Sequence, residues 1–169
     1  MECDMSSAAR NPVEFIELDA LQALSARAAK QPRGRINRNY HAYPDGYQRL
    51  LNAVEPGSYI QPHRHRDPPK AESFVVLTGE IAFFAFDDGG GVSHARRLGP
   101  RLPARGVDLA PGVWHCFFAL APGTVVFEGK NGPYDPATDK EFAPWAPAEG
   151  DPAATAYMAQ LLTRFDGGT

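Results

Sequence analysis

Only five histidines occur in this 169-residue chain, and the spacing of three of them suggests chemistry. His63 and His65 are separated by one residue, so on a β-strand both side chains leave the same face. Glu72 opens the next apolar run, ESFVVL, after a turn, and His115 enters another, VWHCFFAL. Brought together, these strands would aim three neutral imidazoles and one carboxylate at one interior point. That donor set suits Fe, Mn, Co, Ni or Zn better than magnesium, which prefers oxygen alone. Six-fold coordination would leave two positions for substrate, oxygen or water, whereas four-fold coordination would make a closed, structural site. His41 and His94 lack such paired geometry. Cys116 follows His115 directly, and neighbours on a strand face opposite ways, which argues against its coordination.

The elements that must position these residues are short strands. Gly and Pro number 16 each and fall mainly between apolar runs, which suits a turn-rich β fold. The runs are YQRLLNAV, SYIQPHRH, ESFVVLTG, EIAFFAF, VDLA, VWHCFFAL and TVVFEG. Pro-Gly at 56–57, 111–112 and 122–123 predicts type II turns, because Pro fixes φ and Gly accepts the opposite sign. Before the strands, Phe15, Leu18, Leu21 and Leu24 form a helical stripe ended by Gln31-Pro32. After them, Asp151-Pro152 predicts a helix start, with Ala154, Tyr157, Met158, Leu161, Leu162 and Phe165 on its apolar face. Residues 1–12 read as a flexible tail and 13–169 as one domain carrying both helices.

Composition narrows the function classes. Lys and Arg total 17 against 20 acidic residues, a formal charge of -3, with no basic stripe to bind nucleic acid. The opening MECDMSSAAR lacks a secretory pattern, and no apolar stretch approaches the ~20 residues that span a bilayer. A cytoplasmic protein with no membrane partner is expected. Its two cysteines, Cys3 and Cys116, do not make a disulfide framework.

The span Gly57–Gly79 resembles the first cupin motif, with Gly57, His63, His65, Glu72 and Gly79 at its characteristic places. The turn RDPPKA between His65 and Glu72 is longer than the motif's, which would reshape the pocket mouth. Gly112 and His115 resemble the core of the second motif, although Ala104, Ala110 and Ala119 replace its usual glycine, proline and asparagine. Together with VVFEGKNGPYDP, these stretches resemble the WbuC family of cupin fold metalloproteins from about Arg33 to the final helix. The resemblance implies an all-β, cupin-like jelly-roll β-barrel with N- and C-terminal helices. It also implies one divalent transition metal on His63, His65, Glu72 and His115. Through the family's association with bacterial surface-polysaccharide gene sets, it implies a sugar-related polar substrate.

Around such a centre, alternation would turn Tyr59 and Gln61 inward with His63, and Phe74 inward with Glu72. Phe74 and Phe117 read foremost as packing residues. Tyr59 and Glu128 are the candidates for proton transfer. Arg49, Lys70, Lys130 and Tyr134 are the candidates for substrate binding, with Gln48 and Asn52 in the same neighbourhood. For each, an ordinary surface or structural hydrogen bond is an equal alternative. The leading expectation is a small-molecule metalloenzyme, oxygenase or isomerase or lyase, acting on an anionic or sugar-related substrate. The alternative is a non-enzymatic, metal-dependent binding or sensory protein. A homodimer is the expected assembly.

Overall fold

A computed structural model describes residues 12–165, and the expected tail, with Cys3, falls almost wholly outside that span. Ten strands form two five-stranded sheets. The first sheet joins β1 (Arg35–Asn39), β2 (Tyr47–Val54), β4 (Glu72–Thr78), β7 (Gly106–Leu109) and β9 (Thr124–Asn131), in the order β1-β2-β9-β4-β7. The second joins β3 (His63–Arg64), β5 (Ile81–Phe86), β6 (Val92–Leu98), β8 (Trp114–Ala119) and β10 (Glu141–Phe142), in the order β10-β3-β8-β5-β6. All pairings are antiparallel.

The sheets face one another across the main core. Phe74 and Val76 of β4, Val126 of β9 and Val54 of β2 look across at Phe83 and Phe117. Ring centroids of Phe74 lie 5.4 Å from Phe117 and 6.5 Å from Phe83. The outer faces are covered as well. Helix α1 (Leu18–Ala28) lays Leu21, Leu24 and Ala28 on Leu51, Ala53 and Val125 of the first sheet. The spacing i, i+3, i+7 puts those three on one helical stripe. Phe15 precedes the helix and Leu18 opens it, both largely exposed, so the stripe begins later than the sequence suggested.

Helix α2 (Ala154–Leu162) and the 3₁₀ turn Thr163–Phe165 cover the second sheet. Phe165 meets Phe84 at 5.5 Å, and Tyr157 meets Tyr59 at 6.4 Å. This explains why every residue of β5 and β8 is buried: both faces of these strands are packed.

The expected barrel closure is absent. Among the described residues neither sheet closes on itself or joins the other, and the architecture is a jelly-roll-like sandwich. The ladders that would close it are interrupted. Pro62 cannot donate to a ladder, so SYIQPHRH contributes only His63–Arg64 as strand. The three Pro-Gly turns are formed as predicted, with Gly57, Gly112 and Gly123 at φ 88°, 83° and 76°.

Candidate metal centre

His63 and His115 are direct cross-strand partners on β3 and β8, and their ring centroids are 4.6 Å apart. His65 lies just beyond β3, and Glu72 opens β4 on the facing sheet. One ligand-type atom from each of these four buried residues lies within 4.8 Å of all the others. The long RDPPKA turn therefore leaves Glu72 in the cluster.

Hydrogen bonding fixes what those atoms can do. Nδ1 of His63 donates to the carbonyl of Gln61 and Nδ1 of His115 to that of Val113, each at 2.9 Å. Nδ1 of His65 donates to the carbonyl of Asp139. With hydrogen committed at Nδ1, a neutral imidazole presents a lone pair at Nε2. The Nε2 atoms of His65 and His115 stand 3.1 and 2.9 Å from Oε2 of Glu72, and all three atoms lack a hydrogen-bond partner. Lone pairs facing a buried carboxylate require a positive charge between them. The residues fit a divalent ion: backbone carbonyls hold the ring tautomers, and the remaining nitrogens and the carboxylate converge. The cluster is typical of a single divalent transition-metal site.

Electrostatics extend outward from it. Burial, then the charge of Lys140 and then His115, hold the His63 imidazole well below its usual value. Burial alone would push the Glu72 carboxyl up, but its contacts with His115, His65 and Glu128 outweigh that and hold it well below the carboxylate range. Glu128, on β9 opposite Phe74, is pushed up to about 8 by burial first and then by the charge of Glu72. Lys130, opposite Glu72, donates to Oδ2 of Asp139 at 2.8 Å, and Lys70 donates to Oδ1 at 2.9 Å. Lys70 also donates to the carbonyl of Pro133 at 2.7 Å. Asp139 thus braces two buried lysines with its side chain and His65 with its backbone.

Of the other expected site residues, Tyr134 packs on Tyr43 at 4.8 Å and feels the charge of Asp139. Gln48 and Asn52 share the inward face of β2, each with a buried, unpartnered carbonyl oxygen. Arg49 does not reach the centre. It lies on the outward face with Leu51, donates to the carbonyl of Tyr40 at 2.8 Å, and stands over the Tyr47 ring. Tyr59 is also elsewhere: its ring stacks on Phe118, on the face of β8 opposite His115, and its hydroxyl donates to the carbonyl of Pro147. The alternation that would have turned it inward fails because residues 55–62 are not strand.

Asp139, Lys140 and Phe142 were not legible as site residues. They lie in PYDPATDKEF, where no periodicity marks a strand, and only the pairing of β10 with β3 brings them to His63 and His65.

Comparisons with known proteins agree on the fold. Residues 16–98 match the family described as Domain of unknown function (DUF6016). No curated protein sequence matches the chain. Among solved structures, the capsular polysaccharide assembling protein CapF from Staphylococcus aureus superposes with a TM-score of 0.53 at 22% identity. That match covers 63% of this chain and 31% of CapF, so this chain spans less than a third of CapF's length. Oxalate oxidase in complex with the substrate analogue glycolate superposes with a TM-score of 0.52 at 16% identity, covering 83% of this chain and 77% of that one. The two-sheet scaffold is the fold these structures share, and on it this chain sets a His/Glu cluster with the donors of a metal site.

Proposed function

We propose that this chain is a metal-dependent enzyme acting on a small polar metabolite, carbohydrate-related or carboxylate-bearing. The metal would be held by His63, His65, Glu72 and His115. One observation carries the reading: buried, unpartnered Nε2 lone pairs of His65 and His115 face the Glu72 carboxylate, while each Nδ1 is held by a backbone carbonyl. When bound there, a divalent transition metal supplies Lewis acidity toward a carbonyl, hydroxyl or carboxylate.

The chain's own groups complete the site. Glu128 keeps a proton beside Glu72 and is the candidate acid, whereas Tyr59 serves packing. Lys70 and Lys130 hold Asp139, and through it His65, rather than meeting substrate directly. Phe74, 5.8 Å from the His115 ring, seals the inner side against water.

The finer reading is a WbuC-type cupin of polysaccharide metabolism. It draws on the sequence stretches around Glu72, His115 and Glu128, and on CapF being named for capsular polysaccharide assembly. The carboxylate alternative draws on the glycolate complex of oxalate oxidase.

Anaerobic purification, metal analysis and a metal-loaded structure test the centre. About one ion per chain on these four residues is the expected result. Ligation elsewhere, or no stoichiometric uptake under permissive loading, would overturn it. Tight metabolite binding with no turnover across candidate sugars and acids would favour a sensory protein instead.

A further inference from the structure

Three lysines stand around the centre, and they are not equivalent. Lys70 and Lys130 are both bound to Asp139. Lys140 is exposed and, among the described residues, has no hydrogen-bond or ion-pair partner. It stands immediately before β10, between that strand and Asp139. Glu141 lies opposite Arg64 and Phe142 opposite His63, and Lys140 stands directly between this pairing and Asp139, whose carbonyl holds His65. Pairing puts Phe142 on the face that carries His63, while Glu141 points away to Arg64. Phe142 is 53% exposed although its ring lies 6.2 Å from that of His63. The charge of Lys140 reaches His63, Glu72 and Glu128.

We propose that Lys140 and Phe142 form the recognition lip of the centre, for a small organic anion. Its carboxylate would pair with Lys140, and an adjacent C–H face would lie on Phe142. This rests on the metal-dependent reading above and names the substrate class for it. Charge favours it: Lys70, Lys130 and Lys140 balance Glu72, Glu128 and Asp139 even with every carboxyl ionised. A divalent ion then leaves the site two charges positive, which an anion would offset. An exposed aromatic ring beside an uncommitted ammonium offers a flat apolar platform and a point charge to the same ligand. Arg64 holds the lip in place, with Nη2 2.8 Å from Glu141 and its guanidinium 4.0 Å from the Trp114 ring.

Two ligand types share this chemistry, a sugar acid and an aliphatic 2-oxo acid. The test uses the full chain loaded with Co²⁺, titrated by calorimetry and by the cobalt visible spectrum. D-Glucuronate and 4-methyl-2-oxopentanoate are compared with neutral D-glucose and 4-methylpentan-2-one. At least one carboxylate is expected to bind and to perturb the cobalt spectrum, while its neutral counterpart does not. Lys140→Met should weaken that binding by at least about tenfold. Lys140→Arg should largely preserve it, and Phe142→Ala should weaken it severalfold, all with unchanged cobalt stoichiometry. If neither carboxylate binds, if the neutral analogues bind equally, or if Lys140→Met matches the wild type, the lip assignment fails and the metal centre stands. Failure of the wild type to take up cobalt would overturn the centre and the lip together.

Discussion

Asp139 binds the candidate metal centre twice, through its backbone carbonyl to Nδ1 of His65 and through its carboxylate to Lys70 and Lys130. The carboxylate is 3% exposed and its two partners 3% and 5%, so this is a buried ion triad rather than a surface bridge.

Asp139→Asn keeps the carbonyl but takes from two buried ammonium groups their shared ion-pair partner. Breaking a buried pair in this way costs about 3–5 kcal/mol. Urea unfolding of the metal-free protein should show a loss of that order. Lys70→Met should cost less, because Lys130 still neutralises Asp139. Equal losses in the two variants would argue against the triad.

Glu72→Gln preserves shape and removes the single anionic donor. Metal content after loading and desalting should fall from about one ion per chain to a small fraction, with the fold intact by circular dichroism. Retained stoichiometric metal would assign Glu72 to packing instead.

Two ligands of the centre make the metal-free protein sensitive to acid, in two stages. The folded His63 imidazole sits well below its ordinary 6.5, because burial first, and then the charge of Lys140, disfavour its protonation. The unfolded chain therefore takes up a proton that the folded chain refuses. The associated stability is present above about pH 6.5 and is lost as pH falls below it. Glu72, held below its ordinary 4.5, adds stability that is lost in more acid solution. Glu128, pushed up to about 8, acts in the opposite sense, since its folded proton adds stability that is lost as pH rises through about 8. In a Glu128→Gln background, where that opposing contribution is gone, the unfolding midpoint of chelated protein should fall from pH 7.5 to 5. His63→Gln should flatten the upper part of that profile.

Tyr59→Phe separates packing from chemistry. Its hydroxyl donates to the carbonyl of Pro147 at 2.8 Å and its ring stacks on Phe118. A loss of about 0.5–1.5 kcal/mol is expected from the missing hydrogen bond. Metal content and any turnover should be unchanged, and a drop in turnover at full metal content would return Tyr59 to the chemistry.

Arg64→Met should loosen β10. Its partners Glu141 and Asp88 are 41% and 89% exposed, so the ion pairs contribute at most about 1 kcal/mol. The stack on Trp114 adds roughly 0.5–1 kcal/mol. Faster amide exchange across residues 141–143, with little change in global stability, is the expected signature.

The strands bearing strong apolar alternation or continuous burial were legible in the sequence, as were the Pro-Gly turns between them. The convergence of His63, His65 and His115 followed from side-chain parity, which holds even though His65 lies one residue past the short strand β3. Parity misled where the strand did not extend: Tyr59 and Gln61 lie before Pro62, outside any ladder. Arg49 was misplaced for the opposite reason, since β2 is a full strand and Arg49 takes its outward face beside Leu51. Strand β6 was missed because VSHARRL is a polar edge, its five central residues exposed. Asp139 and Lys140 were missed because nothing local marks them. Their role comes from a crossing of the chain that joins residues about 75 positions apart.

The bond from His65 to Asp139 has a consequence for how the site would be filled and emptied. Lys140 and Phe142 follow Asp139 within three residues, so an occupant that steadies His65 also steadies the segment bearing them. Thermodynamic reciprocity then runs both ways: a metabolite resting on that segment would tighten binding of the ion, and loss of the ion would weaken binding of the metabolite by the same factor. Retention of metal in dilute chelator would then report on metabolite supply, making the four-ligand pocket a record of whether that metabolite is present.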